Sequence, residues 1–489
     1  MRRSRLAVAM VGMLLLAACS ARGDDDADAE ANETTIAAAA ETTTPAADEA
    51  STTSAAPEET TTTEAPGVKF GTLDSPCGPG DATIADGQNG GATLKLGTPT
   101  DHGYESSPGL TVEMLDAAEA FAGWCNEQGG IGGLQLEIVD LDGKLFAVPP
   151  AMEQACAETF AMVGGGWVFD DQMYPRFHEC KMISFPSYTV TPTAAMANAK
   201  VQPIPNPSHI KPAAWLMWAK DNYPEQIGTT AIMYGDFLTT KVVADSLRAT
   251  IDVVGGYTVV DTIPYSPAGE ANWAPFAQRL KDGGIRTLFF VGAPNNLVLL
   301  YKAMNELGYI PELVLNDANF YDETMVADGN GALAEGFKVR TAYAPFEEAD
   351  DFPGMKSYLD MMATYNPDGK IAGLGLQATS ALLLFATAAK ACLESNDNVL
   401  ERECVLAEGL KVNSWTGGGL HTETNPGGNE PPTCGIIMEV RDGAWHRLYP
   451  EVGSADDNGG GWHCDDSSAI EITGDFGDVT KGVDPTRQG

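Results

Sequence analysis

A chain of 489 residues with 68 acidic and only 29 basic side chains carries a formal charge of −39, which makes a phosphate backbone a poor partner. Nine cysteines without a CxxC or a Cys/His cluster at zinc-ligand spacing argue against a metal centre and for an oxidising, exported setting. Acidity by itself leaves the fold open.

In chain order, Arg2, Arg3 and Arg5 precede an apolar run from Leu6 to Ala18 that is too short to span a bilayer as a mature helix. It ends in Leu16-Ala17-Ala18-Cys19. That tetrapeptide resembles the bacterial lipoprotein signal, in which residues 1–18 are removed and Cys19 is acylated on sulfur. The competing reading is an ordinary secretory signal with a cysteine near its cleavage site. Several acyl chains, at ~0.8 kcal/mol per buried methylene, anchor a protein without a transmembrane helix. The rest of residues 19–66 is almost wholly Ala, Thr, Glu, Asp, Ser and Pro. Such a stretch cannot bury enough apolar surface to offset the entropy of ordering, so it is expected to be a disordered acidic tether, its threonines open to O-glycosylation.

Strand and helix patterns then alternate. "ATLKLGTPT" reads as a strand; Met114, Ala117, Ala118, Phe121, Trp124 and Cys125 fall on one helical face; and "LQLEIVD" alternates as a half-buried strand. Between the last two lies Gly129-Gly130-Ile131-Gly132-Gly133. A phosphate loop must follow a strand and open a helix, whose free N–H groups hold the anion. Here the order is reversed, so the glycines are a turn. The alternation continues through helix "MEQACAETF", strand "AMVGGG", helix "DDQMYPRFHEC" and strand "MISFPS". After a Pro-rich stretch from Pro203 to Pro212 a second α/β block runs from "AAWLMWAKDNY" to "ELVLND". Later come the apolar helix "TSALLLFATAAKACLE" and a hairpin, "CGIIMEV" and "AWHRLYP", about Arg441-Asp442-Gly443. Two α/β blocks separated by a Pro-rich crossing predict two lobes with parallel sheets. Apart from Cys19, eight cysteines remain, and sequence alone does not choose among their roughly one hundred pairings. Pairing by neighbourhood gives Cys77–Cys125, Cys156–Cys180, Cys392–Cys404 and Cys434–Cys464.

Over roughly residues 90 to 450 the chain resembles the type I periplasmic binding proteins of the branched-chain amino acid and amide group that serve ABC transporters. The resemblance is carried by "AAEAFAGWCNEQGGIGGLQLEIVDLD", close to that family's N-x-x-GGI-x-G turn. It is supported in order by "MISFPSYTVTP", "GAPNNLVLLYKAMNELGY", "AEGF" and "WTGGGLHTET". It implies two Rossmann-like lobes joined by a three-crossing hinge within residues 67–450. Lobe 1 is expected at about 67–206 and 345–415, and lobe 2 at about 207–344 and 416–450. Residues 451–489 form a polar Gly/Asp-rich tail, expected to be poorly ordered beyond Cys464. The resemblance further implies a monomeric, extracytoplasmic protein without cofactor that closes on a small ligand and hands it to a membrane permease.

The ligand is expected at strand ends, where helix N-termini converge. In family members that bind amino acids, the loop after the strand matching "AMVGGG" carries hydroxyls that hold a carboxylate. Here it carries Trp167, Val168, Phe169 and Asp170, which disfavours an α-carboxylate and suits stacking on a planar or cationic ligand. The bland reading of Trp167 and Phe169 is lobe packing. Tyr188 and Thr189 keep the family's small and hydroxyl pattern; Tyr104 follows the first strand. Across the cleft the candidates are Asp236, Phe237, Asn295, Asp317 and Asn319. For Asp236 and Asp317 the alternative role is capping a helix. An enzyme is not expected: there is no GxSxG elbow, no HExxH, and the six histidines have no partner motif. The other alternative is a sensor of the same fold that reports ligand to a membrane receptor.

Overall fold

A computed structural model describes residues 67–487; the expected signal peptide, Cys19 and the expected tether lie outside the described residues. Lobe 1 is built on β1 (Thr93–Thr100), α1 (Val112–Glu127), β2 (Gln135–Asp142), α2 (Val148–Glu158), β3 (Ala161–Val163) and β4 (Ser184–Phe185). Its four strands are parallel, in the order β2-β1-β3-β4. Met114, Ala117, Ala118, Phe121 and Cys125 of α1 are fully buried, as their spacing predicts. The glycine cluster is the expected helix-to-strand turn. Gly130 has φ +81°, donates to Cys125 O at 3.0 Å, and leaves no room for a Cβ, which would stand 2.1 Å from Leu134 O.

Lobe 2 comprises β5 (Ile210–Pro212), α3 (Ala214–Asn222), β6 (Thr230–Gly235), α4 (Leu238–Val254), β7 (Val259–Tyr265), α5 (Ala274–Asp282), β8 (Thr287–Val291), α6 (Pro294–Glu306), β9 (Leu313–Asn316) and β10 (Lys338–Thr341). The chain then returns to lobe 1 for α7 (Pro353–Tyr365), α8 (Gly373–Ser395) and α9 (Arg402–Gly409). It closes lobe 2 with the hairpin β11 (Cys434–Arg441) and β12 (Ala444–Tyr449). The lobe 2 sheet runs β7-β6-β8-β9-β10-β11-β12, parallel as far as β10 and antiparallel for the hairpin. In each sheet the strand that comes first in chain order, β1 or β6, has a neighbour on either side, so a crevice opens at its C-terminal end. α8 is long and apolar enough to cross a membrane, but it is the core helix of lobe 1, and Leu382, Leu383, Leu384 and Phe385 have no exposure.

Three crossings join the lobes, and they hold one another. Ala342 O accepts from Thr422 N, and Ala344 N donates to Leu420 O, so the second and third crossings run as an irregular antiparallel pair. Thr424 Oγ1 donates to Pro203 O at 2.6 Å, tying the third crossing to the first. Residues 416–419 stay with lobe 1, since Gly418 O accepts from Thr72 N. The third crossing therefore begins near Leu420, later than the residue 415 boundary expected from sequence.

All eight cysteines pair by neighbourhood: Cys77–Cys125, Cys156–Cys180, Cys392–Cys404 and Cys434–Cys464. The first three staple lobe 1, each contributing about 3–4 kcal/mol on loop-closure grounds.

Three features differ from the sequence expectation. The stretch 170–180 is not one helix, because Pro175 interrupts it and leaves a helical turn at Asp170–Met173 and a short helix at Arg176–Glu179. Helix α7 had no counterpart in the pattern read above. The tail beyond Cys464 is ordered and bonded to the rest of the protein. β13 (His463–Cys464) pairs with β11, and β14 (Ala469–Glu471) pairs with β5.

Candidate functional site

The C-terminal ends of β1, β3, β6 and β8 face a single cleft of about 580 Å³ between the lobes. Its first wall depends on two buried carboxylates that stand behind it. Asp101, at the end of β1, accepts from Leu145 N at 2.8 Å and Val168 N at 2.9 Å, while its own N–H donates to Thr111 Oγ1 at 3.0 Å. Three loops are thereby fixed to one residue, two by its carboxylate and one by its backbone N–H, and Leu145, Val168 and Thr111 all line the cleft. Burial pushes the Asp101 carboxyl up to about 6 against the pull of these donors. Asp170 does the same for the next loop, accepting from Val190 N at 2.7 Å, Thr191 N at 3.1 Å and Thr191 Oγ1 at 2.5 Å. Burial raises it to about 7.

The triple glycine of "AMVGGG" makes this wall possible. A Cβ on Gly165 would lie 2.3 Å from Pro99 O, and one on Gly166 would lie 2.9 Å from Tyr188 O. Only bare backbone lets the strand ends approach so closely. Tyr188 donates from its hydroxyl to Gly166 O at 3.1 Å, which leaves the ring as its face toward the cleft. Thr189 Oγ1 donates to Gln202 Oε1 at 3.1 Å on the cleft floor.

Eight of the twelve residues expected from sequence line the cleft: Tyr104, Val168, Tyr188 and Thr189 from lobe 1, and Phe237, Asn295, Asp317 and Asn319 from lobe 2. Four do not. Trp167 is buried, its Nε1 donating to Leu141 O at 2.9 Å, so it packs the lobe. Asp170 is spent on the 190–191 backbone. Asp236 is exposed outside the cleft, its N–H donating to Tyr265 O at 2.8 Å. Phe169 stands beside the cleft, in edge-to-face contact with Phe237 of lobe 2 at 5.2 Å and tilted against Phe146 at 5.6 Å. Asp317 takes the alternative role expected of it, Oδ1 capping the turn at Ala318 N, and its Oδ2 also meets Arg340 Nη2 at 2.8 Å.

The strongest charges in the cleft were missed. Lys370, just before α8 in lobe 1, meets Asp322 of lobe 2 at 2.8 Å and Glu113 of α1 at 3.5 Å. Glu113 and Asp322 are buried, and Glu113 has no other side-chain partner among the described residues. Burial raises the Glu113 carboxyl above its ordinary range, and Lys370 and Asp322 pull in opposite directions upon it. Lys370 is itself raised, the two carboxylates outweighing its own desolvation. Gln377 of α8 donates to the hydroxyl of Tyr343 on the second crossing. Glu113, Asp322, Lys370 and Gln377 sit at no strand end and in no motif; only folding brings them together. Against two cations, Lys370 and Arg340, the cleft sets three carboxylates, Glu113, Asp317 and Asp322. Among the described residues no group of histidine, cysteine and acid side chains could hold a metal.

A family model described as periplasmic binding protein matches residues 105–444. The chain belongs to the periplasmic binding protein family. Solved structures of this family share the type I fold over nearly their whole length. A fatty acid ABC transporter substrate-binding protein from Thermomonospora curvata superposes with a TM-score of 0.59 at 16% identity, covering 78% of this chain and 96% of that one. LivJ, a branched-chain amino acid transporter substrate-binding protein from Streptococcus pneumoniae in complex with isoleucine, gives 0.59 at 15%, covering 73% and 100%. A solute-binding protein from R. palustris in complex with 4-hydroxybenzoate gives 0.57 at 17%, covering 73% and 96%. A comparison with curated proteins by sequence gives no match. The fold is thus that of a binding protein with its cleft between two α/β lobes.

Proposed function

We propose that this periplasmic binding protein is an extracytoplasmic lipoprotein, anchored through Cys19, that captures a small polar ligand and delivers it to an ABC transporter permease. The ligand class is an amino acid, an amide or an amine. The observation that carries the reading is the Glu113–Lys370–Asp322 cluster, whose members come from both lobes and line one cleft. A ligand group that donates to Glu113 or Asp322 gains its full contact only when the lobes are together. It therefore stabilises the closed state by that difference and shifts the population toward it. The excess of one carboxylate favours a ligand with an amine or amide N–H over a lone carboxylate. Tyr188, Phe237 and Tyr104 supply aromatic surface around it, where a cation or a planar group is attracted to ring faces.

The test is a melting-temperature screen of the mature protein with disulfides intact against amino acids, amides, urea, polyamines and purine-like compounds. A ligand at 100 times its Kd stabilises by about 2.7 kcal/mol, a shift easily read. A hit lost on Glu113→Gln and weakened on Tyr188→Ala supports the assignment of this cleft. A hit unaffected by either variant would refute it.

A further inference from the structure

The C-terminal segment runs from lobe 2 to lobe 1 alongside the first crossing. It starts at Cys464, disulfide-bonded to Cys434 at the head of β11 in lobe 2. Asp465 N donates to Thr433 O, and Ser468 O accepts from Ala213 N at 2.8 Å. β14 then pairs with β5 in antiparallel register, Ala469 with Pro212, Ile470 with Lys211 and Glu471 with Ile210, and Ile472 N donates to His209 O. Five residues, Thr473 to Gly477, follow without a backbone bond to the crossing. Beyond them the chain docks on lobe 1, where Asp478 O accepts from Thr193 Oγ1 at 2.7 Å. Asn198 grips Asp484 at both its N–H and its carbonyl, each at 2.9 Å.

The lobe 1 anchor is closely built. Asp484 is buried and meets Lys181 Nζ at 2.7 Å. Arg487 donates to Met182 O at 2.6 Å and meets Glu403 at 2.7 Å. A Cβ on Gly482 would stand 2.1 Å from Thr193 O, so the segment lies directly on the backbone before the crossing.

Residues 193–212, which carry the chain out of lobe 1 and into lobe 2, are thus held at both ends by the C-terminal segment, in antiparallel register at residues 210–212 and through Thr193 and Asn198 at the lobe 1 end. We infer that residues 465–487 act as a splint on the first crossing that limits how far the two lobes open. A hinge bends by changing the φ/ψ of a few residues. Where β14 is hydrogen-bonded to β5, that freedom costs ladder bonds, and beyond it the lobes are held by the Thr473–Gly477 span. Six Cα steps from Ile472 to Asp478 reach at most about 20 Å, so wider separation must break an anchor.

Two variants release the lobe 1 anchor: Gly482→Val in the full chain, which forces a clash with Thr193, and a chain ending at Ile472, which removes the anchor outright. Spin labels at Glu105→Cys and Lys241→Cys, both exposed and on opposite lobes, report the interlobe distance distribution. The parent protein is expected to give a narrow distribution, and both released proteins one whose long-distance edge moves outward. A retained cooperative melt shows that the lobes are still folded. An unchanged or narrower distribution in either released protein would overturn the splint.

Discussion

Replacing Lys370 by Met tests whether the cleft cluster is the charge arrangement described. Met keeps the length of the stem and removes the ammonium, leaving Glu113 and Asp322 facing each other without their shared counter-ion. Breaking a fully buried pair from one side costs about 3–5 kcal/mol. Lys370 keeps about a third of its side-chain exposure (31%), while Glu113 and Asp322 each keep 5%. Water screens only one member of the cluster, so the expected loss is at the lower end, about 2–3 kcal/mol. For a folded region of this size that is a drop of about 3 °C in Tm.

The sign with pH follows from which form the variant must bury. Glu113 already has its carboxyl raised in the folded state. Without Lys370 it rises further, so the folded variant holds a proton that the unfolded chain releases. A group raised on folding contributes stability that is present below its unfolded pKa and lost as pH rises through the folded one. The deficit of Lys370→Met is therefore largest near pH 8 and shrinks toward pH 5. Urea denaturation of parent and variant at both values reads it directly. Adding Glu113→Gln to Lys370→Met should recover part of the loss at pH 8 and none at pH 5. A variant that costs less than about 0.5 kcal/mol, the usual size of a neutral surface change, with no pH dependence would refute the cluster.

A second expectation concerns His421 on the third crossing. Its Nδ1–H donates to Thr422 O at 2.7 Å, and Nε2 accepts from Ser380, whose Oγ accepts in turn from Trp415 Nε1. Burial pulls the imidazole down to about 4, so stability present above its unfolded value of 6.5 is lost as pH falls through 4. The raised carboxyls of Asp101 and Asp170 act in the opposite direction over that range. The parent and His421→Gln should accordingly differ in slope, by about 3 kcal/mol between pH 7 and 4, in guanidinium unfolding; parallel curves would show that His421 is not buried neutral. Third, Phe169→Ala and Phe237→Ala, alone and together, should show a coupling of about 0.5–1.5 kcal/mol in unfolding free energy, because the two rings meet edge to face across the lobes. Strict additivity would mean that the contact does not form in solution.

The alternation of elements was legible because each strand and helix of an α/β lobe has its own period and its own stop. The GGIGG turn could be assigned from order alone, and the structure repeats the reason at Gly130, where a Cβ has no space. Helix α7 carries the same period, with Met355, Tyr358, Met361 and Met362 on one buried face between Lys356, Ser357 and Asp360, so its signal was present in the sequence although the reading above did not use it. The tail escaped for a different reason. Its composition is that of a chain with no core to bury, and it is ordered by something composition does not record: hydrogen bonds to the β5 backbone and to the Asn198 side chain, and a disulfide to β11.

In the site, the expected residues that reach the cleft are those that the architecture places at strand ends: Phe237 and Asn295 follow from the element order, and Tyr188 from the family resemblance of its loop. Asp170 shows the limit of that reasoning. It is on the expected loop, yet its carboxylate points back into the lobe, because Val190 and Thr191 offer three donors there. A loop this rich in glycine must be held from behind, and an acid is the side chain that can accept several N–H groups at once. Glu113, Asp322 and Lys370 lie far apart in the chain, on a helix, a turn and a loop, and their meaning exists only as a set. A charged residue read singly is a solvated surface group by default. What separates these three from that default is their mutual distance, a property of the two lobes together and of no local stretch of sequence.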